Sequence, residues 1–224
     1  MRKRLKLSER RLPDYTRGEE IMNMVTHIVG GGMGVIALVL CTALTLLRGN
    51  IYGAVGSVIY GVSMIALYTM SSVYHGMHSG TAKKVMQILD HCTIYFLIAG
   101  TYTVIALSAL RPLYPVLGWG MLTFQWVLTA LAVTLTAIDL EKYNVFSMSC
   151  YICMGWAILP FMGQALFAMG AGGFAYLLSG GIAYTIGAVL YGIGVKKRWM
   201  HSVFHIFVVI GSLLQFISIL FYAL

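Results

Sequence analysis

Long apolar runs separated by short polar breaks organise this chain. Seven can be read, at roughly 23–47, 52–75, 86–109, 115–138, 146–168, 171–194 and 201–224. Each is continuous, whereas a membrane β-barrel needs segments of about ten residues with alternating hydrophobicity. Each also reaches about 20 residues, the length at which an α-helix crosses the hydrocarbon core of a bilayer. The pattern predicts an all-α membrane protein, a seven-transmembrane helix bundle at 23–224 with short connections, preceded by a basic segment at 1–22. Pro160, inside the fifth run, predicts a kink there. No repeat of the kind that marks many secondary transporters is visible.

Composition strengthens this picture. Of 224 residues, 59% are hydrophobic and only 10% charged, which is far too apolar for a soluble domain of this size. The 25 glycines, clustered at Gly30-Gly31-Gly32, Gly172-Gly173 and Gly180-Gly181, read as helix-packing residues that let backbones approach in lipid. Cys41, Cys92, Cys150 and Cys153 all fall in the runs. The CxxC at Cys150 and Cys153 has no second pair and reads as small helix residues rather than a metal site.

The net charge of +8 raises the question of a nucleic-acid partner, and its distribution answers it. Arg2, Lys3, Arg4, Lys6, Arg10, Arg11 and Arg17 precede the first run, and Lys83, Lys84, Lys142, Lys196, Lys197 and Arg198 fall in the even-numbered connections. In a seven-helix topology all of these share one side, and the other side holds only Arg48 and Arg111. The positive-inside rule then places the N-terminus in the cytoplasm and the C-terminus outside, as a multi-pass protein of the cell membrane with no nucleic-acid role. The basic arm also suits anionic lipid headgroups, although topology alone accounts for it. The long charged region and long first run do not match a cleavable signal peptide.

Ionisable residues inside membrane helices are costly and therefore informative. His75 ends the second run in "SSVYH", Asp90 lies near the start of the third in "ILDHC", and His201 and His205 open the seventh in "HSVFH". The topology puts all of these helix ends at the cytoplasmic face. At about 1.5 Å of rise per residue, His201, His205 and Asp90 lie about 5–10 Å past the flanking basic residues, at one level. Taken singly, each has a plain reading. An interfacial histidine is most often a polar anchor, and Ser71 would most often bond back to its own helix. Together, three histidines and a carboxylate at one depth point to a metal. Neutral imidazoles suit zinc, and three protein ligands leave a fourth position for a water that becomes nucleophilic near neutral pH. Asp90 would orient that water or carry its proton, and Ser71, one turn before His75, would bond the water or a substrate oxygen.

The other ionisable residues read differently. His78 is a loop residue, and His91 points about 100° away from Asp90 on a helix. His27 lies near the inner end of the first helix, where it would support the ligands. Asp139, Glu141 and Lys142 read as interfacial charges at the end of the fourth run.

At these residues the sequence resembles the progestin and adipoQ receptor family, in its bacterial hemolysin III branch. The elements that carry the resemblance are "YTRGEEIMNMVTHIVG" (15–30), "SSVYH" (71–75), "LDH" (89–91) and "HSVFH" (201–205), in the family's order. The resemblance spans nearly the whole chain. It implies seven helices with a cytoplasmic N-terminus, zinc held by His75, His201 and His205, and Asp90 and Ser71 at the water. The family is grouped with alkaline ceramidases, which implies hydrolysis of a membrane lipid amide or ester as the substrate class. The long N-terminal region of the adiponectin receptors has no counterpart here, so hormone reception is not implied. Gly18, Glu19 and Glu20 recur in the hemolysin III branch without an evident physical role.

Two alternatives stand beside the hydrolase. One is a membrane sensor or regulator in which zinc is structural. The other is a pore-forming cytolysin, as the branch name suggests. A pore needs polar residues along its full depth, and the strongly polar positions are read as gathered at the cytoplasmic end. A secondary transporter would show an ionisable group near the midplane, and none is found.

Overall fold

The computed structural model describes residues 7–194 and 196–224. Arg2, Lys3, Arg4 and Lys6 of the basic segment lie outside the described residues. Among the described residues the regular structure is all helical, and six segments are long and apolar enough to cross a membrane. The order is a short 3-10 turn at Leu7–Glu9, then α1 (Arg17–Leu47), α2 (Ile51–Gly76), α3 (Thr81–Val104), α4 (Pro115–Ile138), α5 (Asn144–Gly155), α6 (Met162–Gly194) and α7 (Met200–Ser218).

Helix α1 starts at Arg17, ahead of the apolar run at 23, because its start is set by capping rather than by hydropathy. The Thr16 hydroxyl accepts from the Glu19 amide, and the Glu19 carboxylate accepts from the Thr16 amide, which closes a capping box. Glu19 and Glu20 also place negative charge in the first turn, where the helix dipole favours it. At the other end, the Asn50 side chain caps α2 by accepting from Gly53 N at 2.8 Å. Its amide donates to Ser108 Oγ at 2.9 Å, which ties the α1–α2 hairpin to the far end of α3.

Helices α1 and α2 pack antiparallel at a spacing that only a missing side chain allows. A Cβ on Gly61 would lie 2.6 Å from Leu38 Cα. Helix α3 runs through the middle of the bundle. It continues as a π-helical turn at Ile105–Leu110, all of whose residues are buried. The interior is not uniformly apolar. Tyr68 donates to Ser212 Oγ at 2.7 Å, and Tyr184 shares that hydroxyl at 2.6 Å.

The stretch 144–194, expected as two helices at 146–168 and 171–194, has two interruptions. The first is a 3-10 turn at Leu159–Phe161 that contains Pro160. The Tyr102 hydroxyl bridges this break, donating to Gly155 O at 2.8 Å and accepting from Ile158 N at 3.2 Å. The second is Gly170, with φ 69° and ψ 169°, a conformation open to glycine and costly for any other residue. Contacts on either side of Gly170 show a change of direction. Trp156 lies against Gly181 and Thr185, and Phe167 reaches Tyr114 at the start of α4. After Gly170, Gly173 meets Tyr222, Gly180 meets Gln215, and Gly194 meets His201. The later part of α6 is thus antiparallel to α7.

Two buried amides correct the reading that strongly polar positions gather at one end. Gln125 is completely buried in the middle of α4, where its Nε2 donates to Met154 O at 3.0 Å. Gln215 is buried in α7, more than three turns beyond His201. A single glutamine in an apolar run barely disturbs its hydropathy, so neither stands out in the sequence.

Candidate metal centre

His75 closes α2 and His201 and His205 open α7, so one end of the bundle gathers all three. The spacing of four residues puts His201 and His205 on one face of α7, with their Nε2 atoms 3.1 Å apart. The His75 ring centroid lies 5.5 Å from that of His201 and 4.9 Å from that of His205. All three side chains are buried, and one nitrogen from each falls within 4.8 Å of the others.

Buried polar atoms are nearly always hydrogen-bonded. Here His75 Nε2 and His205 Nδ1 are buried with no partner. Three buried imidazoles gathered this closely could hold a metal ion; in a zinc site, Zn–N bonds of about 2.0–2.1 Å bring ligand nitrogens to about 3.4 Å from one another. The residues present fit that ion.

The side chains around the cluster are polar where they touch it. The Glu20 carboxylate meets His75 Nδ1 at 2.5 Å and Lys83 Nζ at 2.6 Å, and Lys83 also donates to Met77 O at 3.0 Å. Lys83 is thereby buried with its charge matched, its ammonium 5.3 Å from the centre of the Tyr74 ring. Asn23 approaches the same His75 nitrogen at 3.4 Å. His27 stacks on His205 with centroids 3.8 Å apart, and neither His27 nitrogen has a partner. Tyr15 stacks on His201 at 4.8 Å. Burial raises the Tyr15 phenol above its ordinary pKa, so it stays protonated.

Tyr15 belongs to the arm that precedes α1 and lies across this end of the bundle. Farther out, Arg10 is buried, donates to Gln87 Oε1 at 3.2 Å and sits 3.9 Å from Glu141. Glu141, expected as a plain interfacial charge, thus faces the arm.

Asp90 and Ser71 line a cavity that also receives His27, His201 and His205. Asp90 neighbours His75, His91 and Ser71, and the Ser71 hydroxyl is buried beside it. The cavity has about 1260 Å³ of empty space, its open mouth included. It runs between α3, α5, α6 and α7 from Asp90 to Tyr102, about 18 Å along α3 at the helical rise. Away from the histidines its walls are mainly apolar, with Ile94, Leu97, Ile98, Phe204 and Val208, and Gln215 lies toward the far end. His91 also faces the cavity. Its Nδ1 lies 2.8 Å from Gln87 O and its Nε2 3.3 Å from the Tyr191 hydroxyl. It stands outside the three-histidine group, and His78 takes no part in it.

Sequence reasoning did not assign Glu20, Lys83, Tyr15 or Arg10 to this site. Two carboxylates in the first turn of α1 were the available signal, since that turn lies at the same end of the bundle as the histidines.

The chain matches the model of the family described as Haemolysin-III related over residues 15–216. It is 36% identical over 206 residues to Hemolysin-3 of Bacillus cereus, covering 92% of each chain. It is 33% identical over 208 residues to the Hemolysin-3 homolog of Bacillus subtilis, covering 93% of this chain and 96% of that one. Similarity extends to the human Monocyte to macrophage differentiation factor, 26% identical over 210 residues, or 90% of this chain and 83% of that protein.

Proposed function

Since this chain belongs to the haemolysin-III related family, we propose that it is a zinc-dependent intramembrane hydrolase of a lipid amide or ester. The observation that carries this reading is the junction of two environments. Three buried imidazoles lie close enough to share one ion, two of them, His201 and His205, line one cavity with Asp90 and Ser71, and that cavity continues into an apolar space between helices. A lipid headgroup linkage belongs at the polar end, and its acyl chain belongs in the remainder.

In this reading seven helices cross the cell membrane. The stretches on either side of Gly170 count as two crossings, and the end bearing the histidines faces the cytoplasm. The contacts of Phe167, Gly173 and Gly194 support that count, and the basic residues around the histidine end support the orientation.

His75, His201 and His205 would hold the zinc. When bound, zinc supplies a Lewis acid for the substrate carbonyl and lowers the pKa of a water. The protein's own groups do the rest. Asp90 accepts the proton from the attacking water and returns it to the leaving amine or alkoxide. The Ser71 hydroxyl donates to the substrate oxygen as charge develops there. The apolar walls hold the acyl chain and exclude bulk water.

The test uses purified, zinc-loaded protein with ceramides, N-acyl amides and phospholipids. Release of fatty acid by the wild type, lost in Asp90→Asn with zinc still bound at about one per chain, supports the reading. Intact substrates after incubation with folded, zinc-loaded wild type would overturn it. The second reading is lytic, and it draws on the name Hemolysin-3 of the two bacterial relatives together with Gln125 and Gln215. These two amides are too few to line a pore along its depth, and conductance in protein-containing bilayers would favour it instead.

A further inference from the structure

The turn Gly18-Glu19-Glu20 at the start of α1 touches both helices that carry the three histidines. We infer that it is the positioning element of the metal centre, with Glu20 setting the tautomer of His75 and Glu19 anchoring the start of α7. The inference rests on the zinc reading of the preceding section and extends it to residues outside the ligand set.

Glu20 acts through hydrogen-bond polarity. A carboxylate only accepts, so its contact with His75 Nδ1 requires the proton to sit on Nδ1. The lone pair is then left on Nε2, which is buried and unpartnered. Asn23 asks for the opposite arrangement, because its amide Nδ2 can only donate to Nδ1. At 2.5 Å against 3.4 Å, and charged against neutral, Glu20 prevails. Lys83 holds the second carboxylate oxygen and balances the buried charge. A carboxylate on the far nitrogen of a ligating histidine fixes ring orientation and raises ligand basicity.

Glu19 acts through the backbone. Its Oε1 accepts from Trp199 N at 2.6 Å, while its Oε2 holds the Thr16 amide and hydroxyl, each at 2.8 Å. Trp199 immediately precedes α7 and has φ 67°, a left-handed conformation that bulky residues rarely adopt. Its indole lies over Gly18, where an added Cβ would approach Trp199 Cη2 to 3.2 Å. One buried carboxylate thus fixes the strained residue from which α7 departs, two residues before His201.

The experiment compares wild type, Glu20→Gln, Glu19→Gln and His75→Ala in detergent. It measures zinc affinity by competition with a chromophoric chelator, the visible spectrum of the cobalt(II)-loaded protein, and thermal midpoints with and without metal. Glu20→Gln retains a hydrogen-bond acceptor but loses the charge. The expected result is zinc affinity of the folded fraction weakened about 10- to 100-fold in Glu20→Gln, with an altered cobalt spectrum, beside a metal-free midpoint lowered because the buried Lys83 loses its counter-charge. Glu19→Gln is expected to weaken binding less than Glu20→Gln, since it acts on α7 through the backbone. Wild-type affinity and cobalt spectrum in Glu20→Gln would overturn the inference. So would a lower metal-free midpoint with unchanged affinity in the folded fraction, which marks a purely structural role. Wild type that takes up no more metal than His75→Ala would overturn the zinc reading itself, and this inference with it.

Discussion

The imidazole of His27 lies stacked on that of His205, with centroids 3.8 Å and planes 24° apart. His27 also meets Tyr68 edge-on at 5.0 Å, so an aromatic column runs from α2 through α1 to α7. Neither His27 nitrogen is hydrogen-bonded, and what the ring supplies is its face. His27→Phe should therefore keep the stack and bind zinc at about one ion per chain. Removing two unpaired buried nitrogens should leave the metal-free protein at least as stable as the wild type. Metal analysis beside thermal unfolding checks both, and loss of zinc in His27→Phe would show that His27 coordinates directly.

Tyr15 covers His201 from the arm that crosses the histidine end. Tyr15→Ala should uncover the cluster while leaving its ligands in place. Zinc release to a water-soluble chelator should become several-fold faster with little change in stoichiometry. Stopped-flow exchange with a fluorescent chelator measures this, and an unchanged rate would mean that the arm does not limit access.

Removing the metal should lower stability by linkage. A ligand that binds only the folded state at 100 times its Kd contributes about 2.7 kcal/mol. A chelator should therefore lower the thermal midpoint of the wild type and leave that of His205→Ala unmoved. The same shift in both proteins would place the metal elsewhere.

Tyr102 holds the break between α5 and α6 with one hydroxyl that both donates and accepts. Tyr102→Phe leaves Gly155 O and the buried Ile158 N without this partner. The expected loss is about 1–3 kcal/mol, the cost of an unsatisfied buried group. Equilibrium unfolding in detergent gives the number, and a change under about 0.5 kcal/mol, the usual effect of a substitution away from such features, would mean that the break finds other partners.

Gly61 sets the closeness of α1 and α2. Gly61→Ala places a methyl 2.6 Å from Leu38 Cα, a backbone atom that cannot rotate away. The two helices must separate, at about 1–3 kcal/mol for overpacking. Gly32→Ala, on the same hairpin with open space at its Cβ, should be neutral or stabilising and serves as the control.

Much of the site was legible in the sequence because its logic is local. Spacing by four residues stacks His201 on His205, and Ser71 on His75, in any α-helix. The capping box of Thr16 and Glu19 is equally local but was not read, because the first run was bounded by hydropathy at 23. The amides of Gln125 and Gln215 were overlooked because hydropathy averages over a window, and one polar residue among many apolar ones leaves the run intact.

The sequence by itself determined that the chain is helical and membrane-embedded, and that its ionisable groups gather at helix ends. Those properties follow from period and composition, which short segments carry on their own. Only the tertiary structure decided that Glu20 meets a histidine 55 residues away, that Glu19 holds an amide 180 residues away, and that Tyr15 lies over His201. These contacts depend on how helices cross, and crossing is set by the summed packing of many small residues, not by any one pattern. The break at Gly170, by contrast, was legible, since it falls in the gap between the runs at 146–168 and 171–194, and glycine adopts its φ of 69° without the strain another residue would carry.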